Sequence, residues 1–221
     1  MSRRLKTSLI DVSLCQVLYK PDWQVTGALA RSHLEALDAC AVDGELLMFD
    51  NSPSPVMGAV HLAAAEPRVR YIWNQGYNVY LAGAFTKALE TARGRHLVYA
   101  CASHGLVNDP TWLADIVAPL ADEQVALAGH VLPCEFNRVA RMPDDIIEPQ
   151  IHVQGGLWAA RIDLLRTVGF DTIHPMCFCD VDLSRRCLAA GYELASVPSL
   201  ISVPAGVISD PERYKYVHDY R

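Results

Sequence analysis

The first residue of this sequence that is well placed for chemistry is an aspartate that follows a buried strand. Asp50 comes directly after the apolar run at residues 45–49 and begins the segment Asp-Asn-Ser. Ligands of parallel sheets lie beyond the carboxyl ends of the strands, where a carboxylate can accept two hydrogen bonds from a base edge or from a sugar diol. Asp-Asn-Ser is also an ordinary turn sequence, and taken alone this run favours the turn.

Two further aspartates, Asp180 and Asp182, stand at the start of a helix predicted over residues 183–190. A carboxylate there could accept the proton of an attacking hydroxyl group, which is the task of a general base. The simpler interpretation is that both cap the helix, since aspartates accept hydrogen bonds from the free amides of a first turn. A single D-x-D segment at a helix start is weak evidence for a metal site.

The elements that would position these residues alternate along the chain. Strand-like apolar runs at residues 8–19, 45–49, 69–73, 96–101 and 124–132 are interleaved with helix-like stretches at residues 25–39, 80–93 and 110–120. Strands interleaved with helices of this length predict βαβ units and an α/β fold, with a mostly parallel, Rossmann-like sheet flanked by helices. Residues 137–149 are rich in charges and predict a polar loop.

The composition predicts one globular domain spanning residues 1–221. The chain is 51% hydrophobic and 20% charged, which suits one well-buried core, and no apolar run is long enough to span a bilayer. A formal net charge of −6 provides no general attraction to nucleic-acid phosphates or anionic lipids. The seven scattered cysteines favour a reducing compartment, and the basic amino terminus lacks a secretory apolar core, so we expect a cytoplasmic protein.

Three sets of segments, in order along the chain, resemble the motifs of the inverting family-2 glycosyltransferases. They are residues 17–22 with 46–52, residues 74–77 with 92–99, and residues 153–161 with 168–171 and 178–186. The third set is the most specific, because it is similar to the family's G-G/A, G-F-D and E-D-x-D-L-x-x-R signature almost position for position. Taken without this likeness, Gly76 and Gly94 predict positions beside helices that need a positive φ.

The resemblance implies a GT-A fold that transfers a sugar from a UDP- or GDP-sugar to an acceptor hydroxyl, with inversion at the anomeric carbon. Asp180 falls at the position of the family's catalytic base, which leaves Asp182 as the expected helix cap. The acceptor could be a glycan, a small molecule, a protein or a modified nucleobase, and a homodimer is left open. The residues expected to bind the nucleotide-sugar are Tyr19, Asp50, Asn74, Gly76, Ser103, Gly155, Gly156 and Arg185.

The sequence departs from the family where that family holds a divalent cation. The expected D-x-D is replaced by Cys-Ala-Ser-His at residues 101–104, Cys179 stands where an acid is expected, and residues 202–205 lack a frequent histidine. A Mn²⁺ or Mg²⁺ ion would thereby lose its preferred oxygen ligands. We therefore assign no metal site, and His104 and Asp182 are weak candidates only.

Three interpretations of this departure remain open. Basic side chains could neutralise the leaving diphosphate without a metal, and the candidates are Arg161, Arg185, Arg186 and His104. A softer metal could bind Cys101 and His104, although two ligands do not make a site. Alternatively, the chain is a catalytically inactive module on the same fold that binds a nucleotide-sugar or a partner.

Overall fold

The computed structural model describes residues 10–100, 110–133, 151–170 and 179–197, and the structural statements below concern these residues. They form seven strands and six α-helices. The strands are β1 Ile10–Leu18, β2 Gly44–Asp50, β3 Val69–Trp73, β4 Gly94–Ala100, β5 Val125–Pro133, β6 Ile151–Arg161 and β7 Glu193–Ser196. The helices are α1 Trp23–Ala39, α2 Met57–Ala65, α3 Tyr80–Thr91, α4 Trp112–Val117, α5 Ile162–Val168 and α6 Cys179–Ala189.

All seven strands belong to one sheet in the order β3-β2-β1-β4-β6-β5-β7. The strands β1 to β4 are parallel to one another, β7 is parallel to β5, and β6 is antiparallel to both β4 and β5. The prediction of a mostly parallel sheet flanked by helices is therefore confirmed. The predicted loop at residues 137–149 lies outside the described residues.

The sheet is covered by helices on both faces, as the continuous apolar character of its central strands requires. On one face, Leu14 and Met48 pack with residues of α1 and α4 such as Leu37 and Ile116. On the other face, Leu47, Phe85, Trp158 and Leu165 belong to a second cluster that includes residues of α3, α5 and α6. Each large apolar side chain that is fully buried contributes about 1.5–3 kcal/mol to stability, so these two layers hold the sheet together.

The amino ends of β1, β2 and β4 are joined by a buried polar network centred on Glu45. The Oε1 atom of this carboxylate accepts hydrogen bonds from Ser13 Oγ at 2.8 Å and from the Arg93 amide at 2.9 Å. Its Oε2 atom accepts one from Arg70 Nη1 at 2.9 Å. The amide of Gly94 donates in turn to Ser13 Oγ at 2.9 Å.

Gly94 is needed here for a reason other than the predicted one. A Cβ atom at this position would lie 2.5 Å from the backbone nitrogen of Ser13, so only glycine lets β4 approach β1 this closely. The prediction of a positive φ at Gly94 is wrong, since the positive-φ glycines among the described residues are Gly76, Gly169 and Gly191. The same prediction is confirmed for Gly76, whose φ is 86°.

Candidate nucleotide-sugar site

The carboxyl ends of β1, β2 and β3 are tied to one another by the residues that follow them. The Lys20 amide donates to Ser52 Oγ at 2.8 Å, and the Asn51 amide donates to the carbonyl of Leu18 at 2.9 Å. Trp73 Nε1 donates to the Ser52 carbonyl at 3.0 Å. These bonds bring the three strand ends together as one polar rim, which is where ligands of such sheets bind.

An open groove of about 400 Å³ lies at this rim, and its lining residues are Lys20, Pro21, Ser52, Pro53, Ser54 and Val56. Tyr19 lies next to it in sequence and is 51% exposed. The Lys20 ammonium stands 5.5 Å from the centroid of the Tyr19 ring, within the range of a cation–π contact. The groove thus offers an ammonium group, two hydroxyls and an exposed ring.

Asp50 lies beneath the rim rather than in the groove. Its side chain is fully buried, and its Oδ1 atom accepts a hydrogen bond from the Ser52 amide at 2.8 Å. Its Oδ2 atom accepts from the Val56 amide at 3.0 Å and from the Tyr71 hydroxyl at 2.5 Å. Both carboxylate oxygens are therefore engaged by the protein, in keeping with the turn interpretation of Asp-Asn-Ser.

Asn74 and Gly76 shape the turn that follows β3. The Asn74 side chain donates to the carbonyl of Tyr77 at 2.7 Å, which closes the turn on itself. Gly76 faces the groove loop, because a Cβ atom there would lie 3.2 Å from the Pro53 carbonyl oxygen. Tyr19, Asp50, Asn74 and Gly76 are thus brought to one edge of the sheet, as the sequence predicted, although Asp50 has no exposed surface.

The second group of predicted residues lies at the same edge, two strands away. The strand β6 runs antiparallel to β4 with Leu157 opposite Ala100, so residues 151–156 lie at and beyond the carboxyl end of β4. Gly155 is packed directly against Asp180, since a Cβ atom on this glycine would lie 2.7 Å from Asp180 Oδ2. Gly156 is buried beside it. The absence of a side chain at Gly155 is what allows the carboxylate to lie against this strand.

A buried histidine accompanies this carboxylate. Burial lowers the pKa of His152, and the nearby charge of Asp180 raises it in part. The hydroxyl of Ser184 donates to the Asp180 carbonyl at 2.7 Å and accepts from the Val153 amide at 3.1 Å, which locks the start of α6 to β6. His152 was not predicted from the sequence, because nothing near it in sequence indicates that it lies close to the charge of Asp180, 28 positions later.

Asp182 has a different role from the predicted cap. The helix α6 already includes Cys179, so Asp182 lies within the helix and not before it. Its Oδ1 atom accepts from Arg185 Nη2 at 2.8 Å and its Oδ2 atom from Arg186 Nε at 2.6 Å. A helix lies where one was predicted over residues 183–190, although it already includes Cys179. The prediction of Asp182 as its cap is wrong, because the carboxylate forms ion pairs along the helix instead.

Two predicted arginines differ in their availability for an anionic ligand. Arg185 is 36% exposed although it is paired with Asp182. Arg161 lies opposite His96 near the amino end of β4, whereas the groove lies at the carboxyl ends of the strands. The idea that Arg161 neutralises a diphosphate in the groove is therefore wrong. Ser103 and His104 lie outside the described residues, and so does the segment that replaces the D-x-D.

The described residues do not fit a divalent cation. Within residues 10–100, 110–133, 151–170 and 179–197, no three side chains among His, Cys, Asp and Glu converge as metal ligands. Asp182, one of the two weak candidates, has both oxygens bound by arginines. A Mn²⁺ or Mg²⁺ ion needs several oxygen ligands, and this part of the site does not supply them.

No helix in the described part of the chain is long and apolar enough to cross a membrane.

No protein-family model and no curated protein matches this chain. Solved structures do match in fold. One is the Pyrobaculum calidifontis mannosyltransferase PcManGT in complex with GDP-Man and Mn²⁺, with a TM-score of 0.67 and 20% identity over 91% of this chain and 59% of that one. Another is GalNAc-T7 with UDP, GalNAc and Mn²⁺, with a TM-score of 0.65 and 14% identity over 87% of this chain and 43% of that one.

A third match is S. aureus TarS 1–349, with a TM-score of 0.60 and 12% identity over 89% of this chain and 59% of that one. The fold is therefore of the GT-A type, as the sequence predicted. The chain spans between 43% and 59% of the length of these three matching chains.

Proposed function

We propose that this chain is a GT-A glycosyltransferase of the hexosyltransferase type, which transfers a sugar from a UDP- or GDP-sugar to an acceptor hydroxyl with inversion. The observation that carries the proposal is the position of the Asp180 carboxylate. It lies against Gly155 at the same sheet edge as the groove of Lys20, Ser52 and Ser54. A donor bound in that groove and an acceptor beside Asp180 would approach each other along one edge of the sheet.

In this proposal Asp180 is the general base of a single displacement. The acceptor oxygen forms a bond to the anomeric carbon while its proton passes to the Asp180 carboxylate. The bond from the anomeric carbon to the diphosphate breaks, and the nucleoside diphosphate leaves with the electron pair. The packing of Asp180 against Gly155 and the bond of its carbonyl to Ser184 hold the base in place for this step.

We infer that the charge of the leaving diphosphate is met by basic side chains. The matching GalNAc-T7 and PcManGT structures were determined with Mn²⁺, but the described residues of this chain do not fit such an ion. Arg185 is the best placed candidate, because it follows Asp180 on α6 and is 36% exposed. Arg186 is less available, since it is bonded to both Asp182 and the Val168 carbonyl.

The test is Asp180→Asn, which keeps the shape of the side chain but removes the proton acceptor. Turnover of a UDP- or GDP-sugar should fall by roughly 10²–10⁴-fold, while nucleotide binding and melting temperature stay within error. Asp163→Asn is the matched control, because Asp163 is an exposed carboxylate in the first turn of another helix. Turnover should also persist in EDTA.

Two results would overturn parts of this proposal. If Asp180→Asn transfers sugar like the parent protein, Asp180 is not the base. If the parent protein binds nucleotide but never forms product, the chain is a binding module on this fold.

A further inference from the structure

The loop that follows β2 forms most of the groove and is fastened at both ends by one carboxylate. Residues 51–56 contain Ser52, Pro53, Ser54 and Val56, which are four of the six residues lining the groove. Asp50 binds the second residue of this loop through Oδ1 and the last one through Oδ2. The carboxylate thus fixes the span of the loop from below.

A tyrosine on the neighbouring strand completes this fastening. The Tyr71 hydroxyl donates to Asp50 Oδ2 at 2.5 Å and accepts from the Val56 amide at 3.0 Å. Burial raises the pKa of Tyr71, and the hydrogen bond to Asp50 raises it further, so the hydroxyl keeps its proton at any physiological pH. Asp50, Tyr71 and the Val56 amide therefore form a closed triangle of hydrogen bonds under the loop.

On its groove side the loop exposes Pro53, Ser54 and Pro55, whereas Ser52 is buried. Ser52 Oγ already accepts from the Lys20 amide, which leaves its own proton to donate. The Ser52 carbonyl is bound by Trp73 Nε1, so the loop is also braced from β3. Two prolines, at positions 53 and 55, limit the remaining backbone freedom of the loop.

We propose that Asp50 and Tyr71 are positioning residues, which hold the loop at residues 51–56 in the shape that receives the nucleoside part of the donor. The inference rests on the proposed function. The buried carboxylate does not touch the nucleotide; it acts through the loop that does. Lys20 and the hydroxyl of Ser54, which are exposed in the groove, then make the contacts with the polar atoms of the base and ribose.

The experiment compares Tyr71→Phe with the parent protein by two independent measurements. Hydrogen exchange of the Ser52 and Val56 amides reports on the fastening without any ligand. Titration calorimetry with UDP and with GDP reports on the groove. Tyr192→Phe is the matched control, since it removes a tyrosine hydroxyl beside β7, at the opposite edge of the sheet from β3.

We expect Tyr71→Phe to speed exchange of the Val56 amide and to weaken nucleotide binding about 5- to 10-fold, as for the loss of one ordinary hydrogen bond. KM for the donor should rise by the same factor while kcat stays within twofold, a split that general destabilisation would not produce. Asp50→Asn provides a second variant if Tyr71→Phe folds poorly. Its amide cannot accept from both loop ends, so it should show the same split.

The possible failures are distinguishable. Unchanged exchange at Ser52 and Val56 would show that the tyrosine does not fasten the loop. Faster exchange with unchanged affinity would show that the fastened loop does not position a nucleotide. A parent protein that binds neither UDP nor GDP would overturn the proposed function, and the positioning role with it.

Discussion

The two ends of β2 carry buried carboxylates that are held in opposite ways. At the amino end, Glu45 is paired with the guanidinium of Arg70 and with two further donors. At the carboxyl end, Asp50 accepts only from uncharged donors, which are two backbone amides and the Tyr71 hydroxyl. Glu45 ties strands to strands, whereas Asp50 ties a loop to a strand.

Under the proposed function, the amino edge of the sheet serves stability and the carboxyl edge serves binding. A buried carboxylate costs free energy unless charge and hydrogen bonds compensate for it, and Arg70 supplies that charge at the amino end. At the carboxyl end, the hydrogen bonds of Asp50 go to the loop that lines the groove and to Tyr71, and no cationic side chain among the described residues bonds to it. Such an arrangement is expected where the shape of a loop matters for a ligand.

The largest effect should come from Glu45→Ala. Removing this carboxylate leaves the Arg70 guanidinium, the Ser13 hydroxyl and the Arg93 amide without their shared acceptor. The free energy of unfolding should therefore fall by about 3 kcal/mol. We place the loss at the low end for a buried pair because Arg70 is 27% exposed. Urea denaturation measures it.

Glu45→Gln is the control for this prediction, because it keeps the shape and one acceptor and should cost less. Nucleotide affinity should be the same in both variants. A change in nucleotide affinity without loss of stability would contradict the assignment of Glu45 to stability and of Asp50 to the binding groove.

Mild acid should lower the stability of the whole fold, because histidines with lowered pKa values lie near both edges of the sheet and in α1. Burial lowers the pKa of His33 to about 4, and burial also lowers the pKa of His96 and His152. The unfolded chain binds these protons near pH 6.5 and the folded protein resists them, so stability that is present above pH 6.5 is lost as the pH falls. His33 alone should cost about 2 kcal/mol between pH 6.5 and 5.

The measurement is a series of urea denaturations across this pH range with the parent protein and with His33→Phe. The phenyl ring keeps an aromatic partner for Trp112, whose ring centroid lies 6.0 Å from that of His33. The variant should lose part of the pH dependence. An unchanged slope of stability against pH would show that the pKa of His33 is the same in the folded and unfolded chain.

The smallest effect should come from Asp182→Ala. Asp182 resembles Glu45 in having cationic partners, but Arg185 and Arg186 are about one third exposed, at 36% and 33%. Solvent screens such pairs, so the loss should be about 1 kcal/mol, to be measured by thermal denaturation. A loss as large as that of Glu45→Ala would show that exposure of the cation does not distinguish the two pairs.

The strands β1 to β5 could be predicted from the sequence, but β6 and β7 were not predicted. Alternating apolar runs and helical stretches predicted the parallel half of the sheet, because that pattern reflects which residues must be buried. Hydrophobic patterning carries no information on strand direction, so the antiparallel pairing of β6 with β4 and β5 could not be predicted either. The helix α2 was missed because Met57–Ala65 is apolar on most sides and shows no helical period.

The candidate site was predictable in its position and not in its contacts. The family likeness placed Asp50 at a strand end and Asp180 beside the acceptor position, and both lie at the carboxyl edge of the sheet. The burial of Asp50 depends on Tyr71, which approaches from a neighbouring strand 21 residues away. The influence of the Asp180 charge on the pKa of His152 likewise arises only when β6 and α6 pack together.

The central place of β1 in the sheet matters while the chain is being synthesised. β1 pairs with β2 on one side and with β4 on the other, and β4 ends only at Ala100. At about 5–20 residues per second, the ribosome needs roughly 4–16 seconds after β1 to produce the strand that covers its second edge. After β3 ends at Trp73 and until β4 is complete, a nascent sheet of β1, β2 and β3 would expose an unpaired, apolar strand, which is the kind of edge that recruits other chains. Its protection until residue 100 emerges would fall to chaperones or to the ribosome surface.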